Sequence, residues 1–168
     1  IRNDFIRVFC LFNIYFLVLI TPAAFLTPLQ VTRAFGEDVW RLTAIEVVYS
    51  AGMIGGGALM AVWGGFRNKL HSMTLSNFII SVCTFALGVA PVFWLYLVFM
   101  GIFGVAMPVF NTPATVLLQQ KVDGDFLGRV FSVISMISST TMPLSMLVFG
   151  PMADYVPIDL LLVVTGIM

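Results

Sequence analysis

Charge is scarce in this sequence. Its 168 residues hold 8 Lys+Arg and 8 Asp+Glu, so charged residues make up 10% and the formal net charge is zero. A soluble domain carries about 25% charged residues, and its surface needs them to stay dispersed in water. A water-soluble domain is excluded on that ground. The even balance also lacks the basic footprint of a nucleic-acid binder. There is one histidine, His71, and there are two cysteines, Cys10 and Cys83. His71 has no Cys, His or carboxylate at ligand spacing, and both cysteines sit inside apolar runs. Neither a metal site nor a disulfide framework is expected. Catalytic motifs are missing too: no HExxH, no GxSxG, and no Gly-Lys-Ser/Thr after the glycine-rich stretch. No helix holds a pair of buried carboxylates. An intramembrane enzyme needs such a constellation, so the chain reads as a non-enzyme without a cofactor. A secretory signal is not expected, because residues 1–7 are polar and flank a run too long for an h-region.

Apolar residues are abundant instead. They make up 60% of the chain, with 16 Phe and a mean hydropathy of +1.06. Disordered chains are poor in such residues. The class that remains is an integral membrane protein. Residue 1 is Ile, and the last residues, 160–168, are an apolar run. The expectation is a piece of a longer protein, since a crossing helix needs about 20 residues.

Stretches free of Asp, Glu, Lys and Arg locate the crossings. They run over residues 8–32, 47–66, 70–120 and 130–153. The third is long enough for two crossings and a turn. That turn belongs near Gly88-Val89-Ala90-Pro91, with Phe93, Trp94 and Tyr96 as an interfacial belt. Five complete transmembrane helices are expected, at about 8–31, 42–64, 72–90, 93–118 and 129–152. A truncated sixth begins at 158 and runs to 168. Strict apolar–polar alternation is absent, which argues against a membrane barrel. The fold class is therefore an all-α integral membrane protein.

Loop charges give the orientation. Five crossings put Arg2, Arg7, Arg67, Lys69, Lys121 and Arg129 on one side, leaving Arg33 and Arg41, beside Glu37 and Asp38, on the other. Basic residues mark the cytoplasmic side, so Arg67, Lys69, Lys121 and Arg129 serve as cytoplasmic topology anchors. Arg33, Glu37 and Asp154 are expected outside.

Polar and small residues inside the spans are the functional candidates. The first span carries Asn13, Tyr15, Pro22, Pro28 and Gln30. Two prolines free backbone carbonyls, which a membrane tolerates only beside other protein or a water-filled cavity. The span is a packing kink or a bent gate helix. The second span is rich in glycine. Gly52 and Gly56 form a GxxxG pair, and Gly57, Ala61 and Gly65 continue the small-xxx-small spacing, which favours close helix packing. Glu46 is the one carboxylate committed to a span, about 6 Å inside Leu42 at 1.5 Å per residue. It shares a face with Ser50, Met53 and Gly57. Intramembrane ionisable groups are functional candidates by default, so Glu46 is a proton carrier or a hydrated carboxylate below the interface near Arg41. Asn13, Tyr15, Asn77 and Asn111 are candidate polar groups of a substrate pathway. Hydroxyls at Ser132, Ser135, Ser138, Ser139, Thr140, Thr141 and Ser145 bend the fifth helix, bond across helices or line a path.

Two stretches carry a resemblance. One is the glycine-rich helix with Trp63-Gly64-Gly65-Phe66-Arg67-Asn68-Lys69. The other runs from Leu117-Leu118-Gln119-Gln120-Lys121-Val122 through Gly128-Arg129-Val130-Phe131-Ser132 and Met142-Pro143-Leu144 to Phe149-Gly150-Pro151-Met152-Ala153-Asp154. Together they resemble the major facilitator superfamily, in the efflux branch that includes macrolide and enterobactin exporters. The resemblance covers essentially the whole chain, as transmembrane helices seven to eleven and the start of twelve. The family's cytoplasmic loop motif has an acidic residue after its first Gly, where Phe66 and Arg67 stand here.

The resemblance implies half of a two-bundle transporter, with residues 1–168 as its C-terminal transmembrane half-domain. It implies export of small lipophilic molecules of drug, macrolide or siderophore type by alternating access, with the proton as coupling ion. The implied partners are the lipid bilayer, a six-helix N-terminal half and the substrate, with no nucleic acid. The implied location is the cell membrane, multi-pass. The rival readings are a facilitator-type importer of the same fold and a non-transporting membrane subunit or scaffold.

Overall fold

The computed structural model describes residues 2–36, 38–66, 68–122 and 124–167, and of these every side chain except those of 2–6, 34, 35, 154 and 167. Seven helices follow in order among the described residues: α1 (Arg2–Phe25), α2 (Thr27–Phe35), α3 (Val39–Trp63), α4 (Lys69–Val89), α5 (Phe93–Lys121), α6 (Gly124–Tyr155) and α7 (Ile158–Ile167). Five segments among the described residues are long and apolar enough to cross a membrane: Arg7–Arg33, Val39–Trp63, Lys69–Val89, Phe93–Lys121 and Gly124–Ala153. The chain is an all-α membrane bundle.

The first crossing departs from the expected single helix. It breaks at Leu26 into α1 and α2. Pro22 lies inside α1 and Pro28 in the first turn of α2, where its fixed φ and missing N–H suit a helix start. Pro28 offers no N–H to the Ala24 carbonyl four residues earlier. Threonine hydroxyls serve neighbouring carbonyls: Thr21 Oγ1 donates to the Leu17 carbonyl at 2.6 Å, and Thr27 Oγ1 donates to that of Ala23. Both threonines are buried, so no water is needed to satisfy these groups.

The other helices outrun the charge-free stretches. α3 starts at Val39 rather than 42, α5 continues to Lys121, and α6 begins at Gly124 rather than 129. Charged and amide side chains are good helix formers, so their absence marks where lipid is tolerated and not where a helix stops. Between α3 and α4 the stop is local. Gly64 takes a left-handed φ of 69° and its N–H reaches the Met60 carbonyl at 2.9 Å, the usual glycine C-terminal cap. The Asn68 side chain then accepts the Leu70 N–H at 3.2 Å and starts α4.

α5 is the centre of the bundle. It packs on α3 and α4 along their lengths, and on α1 through the stacked rings of Phe16 and Phe110, whose centroids are 4.2 Å apart. The α3–α5 contact is backbone on backbone. A Cβ added to Gly52 would stand 2.5 Å from the Gly101 carbonyl oxygen, and one on Gly56 would stand 2.9 Å from the Val105 Cα. Gly57 differs from the expected packing set. A Cβ there meets nothing within 4 Å, because one residue is a 100° turn of the helix and carries Gly57 off the contact face. α7 packs on α4, and α6 leans on α1.

Candidate transport cavity

A cavity of about 250 Å³ lies where the α1–α2 break faces α3, α5 and α6. Ala23, Ala24, Thr27 and Pro28 form its broken-helix wall. Glu46 and Tyr49 project from α3, Met100, Phe103 and Met107 from α5, and Met142 from α6. The Tyr49 and Phe103 rings lie 6.1 Å apart at a 40° tilt. Glu46 remains exposed while lining this space. α3 starts at Val39, so Glu46 stands about 10 Å along its helix at 1.5 Å per residue and about 6 Å beyond Leu42. Among the described residues it has no ion pair or hydrogen bond. Arg41, the nearest cation in sequence, is bonded to Asp38 at 3.1 Å. It also lies over the Trp40 and Phe93 rings at 5.5 and 5.8 Å.

The remaining sequence candidates are dispersed. Tyr15 and Asn77 meet at a small pocket of about 50 Å³ between α1, α4 and α7, together with Ser81, Thr84 and Thr165. Asn77 also borders an apolar pocket of about 350 Å³ walled by Val8, Phe9, Phe12, Met73 and Leu117. Asn13 is half-buried, and its Oδ1 is buried with no hydrogen-bond partner among the described residues. Asn111 is exposed on α5, and its carbonyl accepts the Thr115 hydroxyl at 2.9 Å. None of these four lines the cavity of Glu46.

Of the basic anchors, Arg67 lies outside the described residues, as does Glu37 of the opposite loop. Lys69 donates its Nζ to the Gly64 carbonyl at 3.0 Å. Lys121 occupies the last turn of α5, where the helix dipole favours a cation. Arg129 lies over the Phe126 ring at 5.7 Å.

The structure adds a buried polar node that the sequence reading missed. Gln30, only 4% exposed, donates its amide to the Leu87 carbonyl at 3.0 Å and to Asp159 Oδ1 at 2.7 Å. Its Oε1 accepts the Tyr96 hydroxyl at 3.0 Å. One side chain thereby joins α2 to the end of α4, the start of α5 and the start of α7. Nearby, Arg33 donates to the Ala153 carbonyl at 2.9 Å. The available signal was an amide two residues after Pro28 in an apolar run, since a polar side chain at membrane depth needs a partner. Its partners, 57 to 129 residues away, carry no local mark.

The chain is similar to macrolide efflux protein A of Streptococcus pyogenes, with 27% identity over 140 residues, which cover 82% of this chain and 35% of that protein. The protein of that name from Streptococcus pyogenes serotype M6 gives the same values. That of Enterococcus faecalis is 28% identical over 127 residues, covering 74% of this chain and 39% of that protein. The chain thus spans little more than a third of the length of these relatives. No protein-family model matches it, and no solved structure does. What stands at this point is an all-α, multi-pass membrane bundle similar to proteins named for macrolide efflux.

Proposed function

We propose that this chain is the C-terminal half of a major facilitator superfamily exporter in the cell membrane. In this reading it moves small lipophilic molecules outward by alternating access, with protons entering in exchange. The similarity to macrolide efflux proteins supports export. The observation that carries the mechanism is the cavity at the α1–α2 break, where Glu46 is the one carboxylate among Tyr49, Phe103 and three methionines. Of the side-chain types that line this cavity, the carboxylate is the strongest acid. A six-helix N-terminal half completes the pathway, and the cavity opens toward it as the two bundles rock about a central site.

The test uses vesicles holding the complete transporter, a radiolabelled macrolide and an imposed pH gradient. Gradient-driven export is expected in the native protein. Glu46→Gln, which keeps shape but not titration, is expected to reduce the gradient-driven rate at least tenfold. Glu46→Asp keeps part of it. Export at the native rate by Glu46→Gln removes Glu46 from coupling, and no macrolide movement at all removes the export reading.

A further inference from the structure

Four helices end against one short one. α2 is nine residues long, yet its side chains reach α4, α5, α6 and α7. Gln30 donates to the Leu87 carbonyl and to Asp159, and accepts from the Tyr96 hydroxyl. Arg33, one turn on, donates to the Ala153 carbonyl. All four partners lie at helix ends: Leu87 and Ala153 in the last turns of α4 and α6, Tyr96 and Asp159 in the first turns of α5 and α7. Hydrogen bonds are directional, and a buried polar group that loses its partner is costly. Gln30 and Tyr96 are buried, so these bonds fix where α2 sits.

The joint between α2 and α1 is built differently. Among the described residues, main-chain hydrogen bonds cross it through Leu26 alone. The Leu26 N–H reaches the Pro22 carbonyl at 2.9 Å, and its carbonyl accepts the Gln30 N–H at 2.8 Å. Pro28 withholds the N–H that the Ala24 carbonyl takes in an unbroken helix. The Thr27 hydroxyl adds one side-chain bond, to the Ala23 carbonyl. Beyond the joint, α1 leans on α6 and stacks Phe16 on Phe110 of α5. Apolar burial of that kind is non-directional. Towards α4, α1 meets pockets of about 50 and 350 Å³. It therefore has a thinly bonded pivot at one end and space along one side.

We propose that α2 is a fixed clasp on the ends of α4, α5, α6 and α7, so that the first crossing bends only at Leu26 and the motion is carried by α1. Gln30 and Arg33 are the positioning residues of this clasp. The clasp turns the helix ends around it into one rigid cap, while the opposite end of α1 stays free to shift. The inference does not rest on the export reading, since it names no cargo and no coupling ion.

The test is pulsed electron paramagnetic resonance on the full-length protein in nanodiscs, with Cys10 and Cys83 replaced by alanine. One spin-label pair, Leu29→Cys with Trp94→Cys, spans α2 and α5 at the clasp. The other, Leu11→Cys with Leu75→Cys, spans α1 and α4 beyond the joint. All four side chains are exposed. The clasp pair is expected to give one narrow distance distribution, and the other pair a distribution at least twice as wide. Gln30→Ala combined with Arg33→Ala should widen the clasp pair at least twofold, with an unchanged elution volume showing an intact fold. Pro28→Ala supplies the missing N–H and should narrow the α1–α4 pair towards the width of the clasp pair. A node that only adds stability predicts no such narrowing. A clasp pair as wide as the α1–α4 pair in the native protein overturns the proposal. So does an unchanged clasp pair in the folded double variant, or an unchanged α1–α4 pair in Pro28→Ala. If the double variant does not fold, the native comparison and Pro28→Ala still decide.

Discussion

Gln30 shows how one side chain can decide the geometry of a helix end. Its amide and carbonyl oxygen satisfy three partners on three other helices, and Gln30 and Tyr96 are themselves buried. Leaving a buried polar group unpaired costs about 1–3 kcal/mol. Gln30→Ala takes the amide donor from the Leu87 carbonyl and from Asp159 and one acceptor from the Tyr96 hydroxyl, whereas Tyr96→Phe removes one donor from Gln30. Melting in detergent should therefore fall more for Gln30→Ala than for Tyr96→Phe. Equal shifts, or none for Gln30→Ala, would mean that the node carries little energy. At this scale the sequence was partly legible. Glu46 stood out because a carboxylate in an apolar run has few reasons to be there. Its cavity neighbours did not, since a methionine or phenylalanine in such a run looks the same whether it faces lipid, core or a cavity. Asn111 and Asn77 show the converse: an amide in a span marks polarity but not direction.

Helices were easier to foresee than their breaks. Charge-free length counts crossings because the bilayer core has a fixed thickness, and the five long apolar segments follow from it. The break at Leu26 was less legible, because Pro22 and Pro28 permit either a kink or a full interruption. The outcome depends on the Thr21 and Thr27 hydroxyls and on where Gln30 finds its partners. The glycine helix separates two roles within one turn. Gly56 lies against the Val105 backbone and Gly57 against open space. Gly56→Leu forces α3 from α5, and overpacking of a filled contact costs about 1–3 kcal/mol. Gly57→Ala adds helix propensity of about 1 kcal/mol without a contact to lose. In thermal melts of the purified chain, Gly56→Leu should fall clearly below the native protein, and Gly57→Ala should match or exceed it. A large loss in both would place Gly57 against a neighbour, such as a second bundle. No loss in either would mean that the α3–α5 contact tolerates separation.

The whole bundle leaves one helix conspicuously uncovered. α6 touches α1 but scarcely α5, and Val133, Met136, Leu144 and Leu147 are exposed along it. An uncovered apolar face is unremarkable in a membrane, where lipid tails cover it. The second bundle proposed above would cover it equally if it faced α6 and the Glu46 cavity. The packing of chain ends bears on how the bundle sits. Phe9, Leu70 and Leu117 border one pocket, gathering the starts of α1 and α4 with the end of α5. Gln30, Leu87, Tyr96 and Asp159 meet at the other end. Lys69 and Lys121 therefore belong to one end, and Arg33 and Arg41 to the other, matching the alternation expected of consecutive crossings. If the basic-rich end is cytoplasmic, cysteines replacing Asn68 and Asp38 should react with an impermeant maleimide from opposite sides of sealed vesicles. Both positions are exposed and flank helices rather than sit within them, so substitution should leave the packing intact. The background must first lose Cys10, which is half-buried, whereas Cys83 is buried and shielded from the reagent. The Asp38 cysteine should label in right-side-out vesicles and the Asn68 cysteine only in inverted ones. The reverse pattern would invert the orientation while keeping five crossings. Labelling of both from one side would require an even number of crossings between them, so that α3 would not span the bilayer.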